Sequence, residues 1–449
     1  MAGGTWTSQT KVRPGAYINF KAVQRGSLNV GDRGVMAIGL PLHWGVEGEL
    51  IEVLSSDLLN GNSKKLIGLD VFDADSKLLR AGLSYCYKAF VYRLKPVDSS
   101  AVSSAKATAT LGKLTATAKY TGTLGNKLTA IVTSSNGIYT IISYLDGVEI
   151  DKQKFTTISQ LVSNDYIDFT EESSGSITTG TLTLTGGVDG VATSLSSQYT
   201  SMIAKLELAK WQTFACTTND TTCISSIITF IDNLRNDEGR YVQAVVANAS
   251  SANDEGIINN VCGAVIDGVT FTAEEFCAIV AGMTAGANFN ESNTARVVDN
   301  ATSIVGQLTD EQIKTALSNG KFVLSSSASG NIKVEQDINS LHNYPSDKNY
   351  SFSKNRVIRT LDEIGTSIKE TWEDVYMGKV DNNETGRALF KADIVQYMVE
   401  LQRLNAIQNF EIDDVVVSQG TELDAVVVDL AVMPVDSMEK LYMTINVNS

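Results

Sequence analysis

Residues 211–246 read WQTFACTTNDTTCISSIITFIDNLRNDEGRYVQAVV, and this stretch decides the fold. The mostly apolar run Trp211–Cys216 predicts a buried strand, and Tyr241–Val246 predicts another. Between them, isoleucine and leucine recur every three or four residues over Thr222–Arg235, which is typical of a helix with one buried face. A strand, a helix and a second strand in this order favour a mainly parallel sheet covered by helices.

Two further helix starts carry a signal of their own. Thr272 is followed three residues later by Glu275, and Thr309 by Gln312. In such capping boxes the threonine hydroxyl and the later side chain both accept hydrogen bonds from N–H groups that the first helical turn leaves unpaired. We therefore expect helices to begin at these two threonines.

The last quarter of the chain predicts two long helices followed by strands. Apolar residues recur at helical spacing over 353–378 and again over 386–409. The stretch 379–384 between them is too polar to be buried and predicts a surface loop. The valine-rich runs 415–417 and 425–432 predict strands.

Strand-like patterns also lie near both ends of the chain. Apolar residues there occupy every second position, which predicts half-buried strands. Such strands carry rows of backbone N–H and C=O groups that must be paired within the same sheet or offered to another chain. The candidate subunit-linking residues are Tyr17, Ile18, Phe20, Leu441, Met443, Ile445 and Val447.

The composition changes between Val97 and Gly190. This stretch has no proline, cysteine, methionine, tryptophan, histidine or arginine, whereas threonine, serine and glycine are dense. Short alternating β-branched segments with turn signals predict a small sandwich of antiparallel strands. The runs Val35–Pro41 and Tyr85–Tyr92 precede it and are expected to be core strands whose partners lie downstream of this insert.

The predicted fold class is α/β and α+β multidomain, with a β-α-β core, a β-sandwich-like insertion and extended terminal strand arms. The predicted division is 1–24 as an N-terminal linking arm, 25–95 as the first part of the core, 96–192 as the inserted outer domain, 193–345 as the central α/β domain, and 346–449 as the C-terminal domain with the second linking strand.

Charge and hydropathy patterns argue against several classes of protein. The net charge of −15 over 449 residues offers no basic face for nucleic acid. No stretch approaches the roughly 20 apolar residues of a membrane span. The N-terminus lacks the basic and apolar regions of a secretory signal, so we expect synthesis and assembly in a cytoplasm.

Few residues could support catalysis or bind a metal or a cofactor. Five cysteines, an odd and scattered number, predict buried free thiols, and two histidines give little material for a metal site or a catalytic triad. The chain also lacks a Gly-x-x-x-x-Gly-Lys-Ser/Thr phosphate loop. We therefore expect no catalytic residues, no bound metal and no cofactor.

Six segments resemble the contractile-tail sheath proteins of bacteriophages and phage-derived particles, with most similarity to those of Gram-positive hosts. They are PGAYIN (14–19), LTGGVDG (184–190), FSKNRVIRTLD (352–362), GRALFK (386–391), NAIQNF (405–410) and PVDSMEKLYMTINV (434–447). The resemblance spans nearly the whole chain and is most specific in its last third.

The resemblance implies a structural, non-enzymatic protein of a virion tail or phage-tail-like particle. Sheath subunits of this family stack as hexameric rings into a helical sleeve around a tail tube. Contraction of the sleeve drives the tube through a bacterial envelope, while terminal arms keep subunits joined by adding strands to neighbouring sheets. The implied partners are other copies of the chain, the tail tube protein, and baseplate and tail-terminator proteins, without nucleic acid or membrane insertion.

The resemblance also implies that the C-terminal domain contacts the tube. We therefore expect that part of its basic set faces an acidic tube surface, with a solvated helix face paired to local acids such as Asp362 as an equally weighted alternative. The candidate tube-facing residues are Lys354, Arg356, Arg359, Arg387, Lys391 and Arg403.

Two alternatives from other classes remain at this stage. A surface adhesin or S-layer-like protein would share the acidic, threonine-rich composition, but would normally carry an export signal. An enzyme with an α/β core is less favoured, since the chain has no Gly-x-Ser-x-Gly elbow.

Overall fold

In the computed structural model, the described residues are 33–447 together with the backbone of residues 2–4 and 15–17. The chain forms two compact units. The first consists of Met1–Gly31 and Ile364–Met433, and the second of Asp32–Glu363 and Pro434–Ser449. The five-domain division drawn from the sequence stays a prediction, whereas the mixed α/β, multidomain fold class is confirmed.

The helices of the described residues are numbered in chain order. They are α1 (Ser55–Asn60), α2 (Ser63–Ile67), α3 (Lys77–Leu83), α4 (Leu195–Leu206), α5 (Thr221–Asn236), α6 (Ala273–Gly286), α7 (Asp310–Ser318), α8 (Asn355–Thr371) and α9 (Glu384–Arg403). A single π-helical turn, Trp372–Tyr376, follows α8 directly.

The strands of the same residues are numbered in the same way. They are β1 (Ala2–Gly4), β2 (Gly15–Tyr17), β3 (Val35–Pro41), β4 (Leu50–Leu54), β5 (Lys88–Leu94), β6 (Thr108–Leu111), β7 (Leu114–Ala118), β8 (Leu128–Ser135), β9 (Ile138–Leu145), β10 (Val148–Phe155), β11 (Ile167–Glu171), β12 (Gly180–Thr183), β13 (Thr213–Ala215), β14 (Gln243–Ala247), β15 (Ile257–Asn260), β16 (Gly263–Ile266), β17 (Val269–Phe271), β18 (Ala301–Val305), β19 (Lys321–Phe322), β20 (Leu324–Ser326), β21 (Ile332–Val334), β22 (Val415–Gln419) and β23 (Val426–Leu430).

A seven-stranded sheet forms the centre of the second unit. Its order is β19-β15-β14-β13-β3-β5-β4, and every pair is parallel except β4 with β5. Thr213 pairs with Gln243 on one side and with Met36 on the other. The parallel sheet is thus confirmed, and β3 pairs with β13 from beyond the insert, as expected. For β5 the expectation is wrong, because its sheet partners β3 and β4 both precede the insert.

Helix α5 covers this sheet as the sequence predicts. Its start is fixed by Asp220, whose carboxylate accepts hydrogen bonds from the N–H groups of Thr222 (2.8 Å) and Cys223 (3.0 Å). Ile227 and Ile231 on its apolar face are fully buried. Burial of each such side chain contributes about 1.5–3 kcal/mol to folding.

Helix α6 begins with the predicted capping box and is almost entirely enclosed. The backbone N–H of Glu275 donates to the Thr272 hydroxyl (3.4 Å), and the Glu275 carboxylate accepts the Thr272 N–H (3.2 Å). A glycine at position 282 lets α6 approach α3 closely, because a Cβ there would lie 2.2 Å from the Gly82 carbonyl oxygen. The second capping box, at the start of α7, is confirmed in the same way.

The insert forms two antiparallel sheets, β10-β9-β8-β12 and β11-β7-β6, around a shared apolar core. This confirms the predicted β-sandwich-like insertion. Arg93 connects the insert to the chain that precedes it. Its fully buried guanidinium donates to the carbonyl oxygens of Leu42 (3.1 Å) and Gly45 (2.9 Å) before the insert, and of Thr121 (2.9 Å) within it.

The C-terminal part of the first unit contains α9 and the hairpin β22-β23 that packs on it. Both strands and the surface loop between the helices occur where the sequence predicts them. Helix α9, however, ends at Arg403 and not near Asn409. The reason is local, since Asn405 and Asn409 adopt left-handed backbone angles (φ 56° and 54°) that a helix cannot accommodate.

All five cysteines are buried and free, as predicted. Within the described ranges, no helix combines the length and the apolar character needed to cross a bilayer.

Candidate inter-subunit linking site

The C-terminal segment Leu441–Val447 projects its side chains into solvent. The exposed fractions are 85% for Leu441, 70% for Met443, 74% for Ile445 and 88% for Val447. The segment forms no strand pairing with the described residues. The half-buried strand predicted here is therefore not formed with any partner among the described residues, because a strand is half-buried only when a sheet partner and a covering layer are present.

The residues just before this segment are attached to the second unit through Glu439. Its carboxylate accepts hydrogen bonds from the Thr294 hydroxyl (2.8 Å) and from Nε2 of Gln336 (2.6 Å), and it forms an ion pair with Nζ of Lys354. Burial alone would raise the pKa of Glu439, but the hydrogen bonds from Lys354, Gln336 and Thr294 outweigh it. The pKa of this carboxyl therefore lies below its usual value.

Lys354 is enclosed by its own chain, so the structure gives no support to its place among the tube-facing candidates, which stays a prediction. Its side chain is only 5% exposed and its ammonium group is held by Glu439, with Asp436 at 3.5 Å. A side chain enclosed by its own chain has no surface to offer a partner. The pairing was invisible from sequence because the two residues are 85 positions apart.

Arg359 is enclosed as well. Its guanidinium is fully buried and donates to Oδ2 of Asp337 (2.6 Å) and to the Glu291 carbonyl oxygen (2.7 Å). Burial would raise the pKa of Asp337, but the Arg359 charge and the N–H groups of Asn293 and Asn355 lower it below its usual value. Arg359 is thus a buried structural partner of Asp337, with no side-chain surface left for a tube or for solvent.

The remaining basic candidates keep some exposure. Arg356 is half-buried at the start of α8. On α9, Arg387 donates to Oδ1 of Asn382 (2.9 Å), Lys391 is half-buried, and Arg403 pairs with Glu400 on the surface. Arg387 and Lys391 lie one turn apart, whereas Arg403 points about a third of a turn away from Lys391, so these three residues do not form one face.

Arg387 also lines a cavity of about 780 Å³ in the first unit. The aromatic residues Trp372, Tyr376 and Phe390 form one wall, with the Tyr376 and Phe390 ring centroids 4.6 Å apart. Val426 of the hairpin forms part of another wall.

Among the described strands, the hairpin β22-β23 has no partner along either outer edge. Its two strands pair only with each other among the described strands, from Val415 with Leu430 to Gln419 with Val426. Each strand therefore has one edge whose N–H and C=O groups face away from its partner. Val416 and Val427 on its outer face are about half exposed (52% and 51%).

Near the N-terminus, β1 and β2 pair in parallel, and Tyr17 lies opposite Gly4. Ile18 and Phe20, the other predicted linking residues, lie outside the described residues. The linking role of all seven residues stays a prediction.

Sequence reasoning missed Glu439, Gln336 and Thr294. Each is an ordinary polar residue without a motif, and they come together only when three separate parts of the chain meet. The one available signal was the FSKNRVIRTLD segment, which contains Lys354 and Arg359, but it does not reveal their partners.

Comparison with known families accounts for most of the chain. Residues 102–189 match the phage tail sheath protein beta-sandwich domain, residues 192–340 the phage tail sheath protein central domain, and residues 347–448 the phage tail sheath C-terminal domain. The chain belongs to the phage tail sheath protein family. The β-sandwich match coincides with the two-sheet insert, and the C-terminal match includes both Lys354 and the exposed terminal segment.

Solved structures support this family assignment. The sheath tail protein from Desulfitobacterium hafniense is 33% identical, with 96% of this chain and 99% of that chain covered and a TM-score of 0.80. The sheath tail protein Lin1278 from Listeria innocua is 30% identical, with 92% and 95% covered and a TM-score of 0.81. The helical sheath of the anti-feeding prophage in its contracted state shares the fold at 9% identity, with 97% and 99% covered and a TM-score of 0.59.

The sheath protein is thus a subunit of a tail sheath, the outer layer of a phage tail or a tail-like particle. The family assignment supports the sheath prediction over the two alternatives, a surface adhesin and an enzyme with an α/β core.

Proposed function

We propose that this sheath protein polymerises through its terminal strands. Subunits form stacked hexameric rings, which build a helical sleeve around a tail tube. The single observation that carries the proposal is the exposure of 70–89% along Leu441–Met443 and at Ile445 and Val447. Large apolar side chains at this exposure cost free energy in water, and a strand partner on another copy would cover them.

The hairpin β22-β23 is the acceptor that fits such a strand best. It is short, its edges are unpaired among the described strands, and its residues are rich in valine. An added strand gains main-chain hydrogen bonds along one edge and buries alternate side chains on one face. Because donor and acceptor are different surfaces, the contact is heterologous and propagates into rings or open helices.

Strand addition also suits a sleeve that changes length. Main-chain ladders persist while the globular bodies rotate, if the connecting residues act as hinges. The energy for contraction would come from the difference in contacts between two packings of the same subunits, and no bound nucleotide or cofactor is needed. We infer that contraction drives the tube through a bacterial envelope, that baseplate and tail-terminator proteins bind the sleeve ends, and that assembly occurs in the host cytoplasm. These roles rest on the family and do not require an enzymatic activity.

The tube contact is a separate part of the proposal. With Lys354 and Arg359 enclosed, Lys391 and Arg403 are the basic candidates with the most freedom to face an acidic tube, followed by Arg387 and Arg356. Because Lys391 and Arg403 point in different directions, we expect one of them at most to dominate the contact. Charge reversal of each, scored by co-sedimentation of sheath with tube, would separate them.

The experiment that tests strand linking uses single substitutions in the exposed segment. Ile445→Asp places a charge on the apolar face of the strand, whereas Asn446→Asp places it on the opposite face. Both positions are exposed in the single chain, so neither change should affect folding. We expect electron microscopy to show long sleeves for the unmodified chain and for Asn446→Asp, and dispersed subunits for Ile445→Asp.

The full chain should be expressed in each case, and circular dichroism should confirm that its fold is unchanged. Sleeves of normal length from Ile445→Asp, and also from a chain ending at Lys440, would refute the linking role of this strand.

A further inference from the structure

The segment Pro434–Lys440 connects the compact first unit to the exposed C-terminal segment. Before it, the chain ends the first unit at Met433, and after it every residue of Leu441–Val447 is exposed. Glu439 is the last residue with side-chain hydrogen bonds to the described body of the second unit. It is therefore the point at which the proposed linking strand leaves its own subunit.

Three donors from three separate parts of the second unit converge on Glu439. Thr294 lies in the loop between α6 and β18, Gln336 follows β21, and Lys354 precedes α8. The Thr294 hydroxyl lies 2.8 Å and Nε2 of Gln336 lies 2.6 Å from the Glu439 carboxylate, and both distances are those of strong hydrogen bonds. The Ser437 hydroxyl adds a longer local contact at 3.3 Å.

The ion pair between Glu439 and Lys354 is enclosed, and this strengthens the attraction between the two charges. The side chains of Glu439 and Lys354 are 11% and 5% exposed, so water competes little for their charges. The neighbouring Asp436 shares Lys354 at 3.5 Å but is 34% exposed, and its contribution is correspondingly weaker.

The contacts continue beyond the three donors into the buried ionic core. The Thr294 hydroxyl that donates to Glu439 also accepts the backbone N–H of Asp337 (2.9 Å). The Asp337 carboxylate in turn binds Arg359 (2.6 Å) and Nδ2 of Asn355 (2.8 Å). Glu439 is thus connected to the start of α8 by two routes, directly through Lys354 and indirectly through Thr294 and Asp337.

We propose that Glu439 is the anchor that fixes the linking strand to its own subunit, so that force on the strand reaches the subunit body at the start of α8. This inference rests on the proposed strand linkage and adds to it a defined residue that transmits the force. Strand addition alone would join two copies, but a strand attached by a slack connection would not make one subunit follow the rotation of the next. Glu439 acts through position, by holding the segment that precedes the strand.

The first test measures the anchor without any polymer. Amide hydrogen exchange over residues 437–440 is followed in the full chain, kept unpolymerised by low concentration, for Glu439→Ala and for Lys440→Ala as matched control. Lys440 is the adjacent exposed residue. We expect exchange to rise about tenfold or more in Glu439→Ala and to stay unchanged in Lys440→Ala. Equal exchange in both variants would overturn the proposal.

A second variant separates anchoring from general destabilisation. Glu439→Ala alone leaves the Lys354 ammonium group buried without its main partner, which can weaken the fold. The double variant Glu439→Ala with Lys354→Met removes this buried charge as well. We expect its thermal midpoint to return toward that of the unmodified chain, while exchange over 437–440 stays high. If the double variant regains normal protection, Glu439 is not the anchor.

The third measurement uses the polymer and keeps the two proposals apart. Both Glu439 variants retain Leu441–Val447, so we expect them to form sleeves that are several-fold shorter than normal, whereas Ile445→Asp gives none. Normal sleeves from the double variant, with none from Ile445→Asp, would refute the anchor and leave strand linkage intact. Normal sleeves from Ile445→Asp would refute strand linkage, while the exchange result would still decide whether Glu439 holds the segment.

Discussion

Replacing Arg359 by methionine tests whether this residue is a buried partner or a surface for another protein. The guanidinium is fully buried, and it donates to Asp337 at 2.6 Å and to the Glu291 carbonyl oxygen at 2.7 Å. Methionine fills similar volume without charge or donors. The variant therefore leaves the Asp337 carboxylate, itself 1% exposed, without its counter-charge.

The expected cost follows from these contacts. Removing one member of a buried ion pair typically costs about 3–5 kcal/mol, because the remaining charge is not compensated. Asp337 retains two hydrogen bonds, from the Asn293 N–H (2.8 Å) and from Nδ2 of Asn355 (2.8 Å), which favours the lower half of that range. We expect a loss of about 3–4 kcal/mol in the free energy of unfolding of the second unit.

Urea unfolding of the unpolymerised full chain measures this loss. Tryptophan fluorescence reports the second unit through Trp44 and Trp211, both of which are buried. Arg403→Met is the matched control, because it removes an arginine whose ion pair with Glu400 lies on the surface. Its unfolding midpoint should not change. A loss below about 1 kcal/mol for Arg359→Met would contradict the buried-pair reasoning, since so small a cost is typical of exposed pairs.

A double-variant cycle with Asp337→Asn completes this test. Since both changes remove members of the same pair, the double variant should cost clearly less than the sum of the single variants. Additive costs would mean that the two side chains do not stabilise one another.

Three further predictions concern pH, a helix cap and thiol reactivity. The pKa of Glu439 is lowered in the folded chain. Its contribution to the free energy of unfolding is therefore complete above the usual carboxyl pKa of about 4.3, and this contribution is lost as the pH falls through the lowered pKa. The thermal midpoint of the unmodified chain should therefore exceed that of Glu439→Gln at pH 7 and converge with it below about pH 4, and a constant difference would contradict this assignment. Thr272→Ala removes the cap of α6 and should cost about 1 kcal/mol in urea unfolding, whereas Thr302→Ala, at an exposed strand position, should cost less. Burial raises the pKa of the Cys86 thiol to about 12, and burial does the same for Cys216. Iodoacetamide at pH 8 should label neither in the folded chain, and rapid labelling without urea would show that these thiols are accessible.

Much of the architecture could be predicted because local patterns encode it. The 211–246 stretch specifies strand, helix and strand through the spacing of its apolar residues, and all three occur. Thr272 and Thr309 mark helix starts through hydrogen bonds within a single turn. The end of α9 was harder to predict, because asparagine at positions 405 and 409 is compatible with both helical and left-handed backbone.

The candidate site was less predictable. The alternation of Leu441, Met443, Ile445 and Val447 indicated a strand, but not that the chain supplies no partner for it among its described residues. The basic residues of α8 and α9 looked alike in sequence, yet Arg359 is fully buried and Arg403 lies on the surface. Helical spacing places a charge on a helix, whereas burial depends on what packs against that face.

By itself, the sequence determined the elements, their order, the family and the strand-forming character of both ends, because these depend on neighbouring residues and on periods of two and 3.6. Only the tertiary structure decided which charges are enclosed and what they bind. Lys354 meets Glu439 across 85 positions, and Arg359 meets Asp337 across 22 positions. Such pairs form where separate segments converge, and their energies arise from the exclusion of water at that point, which no local pattern records.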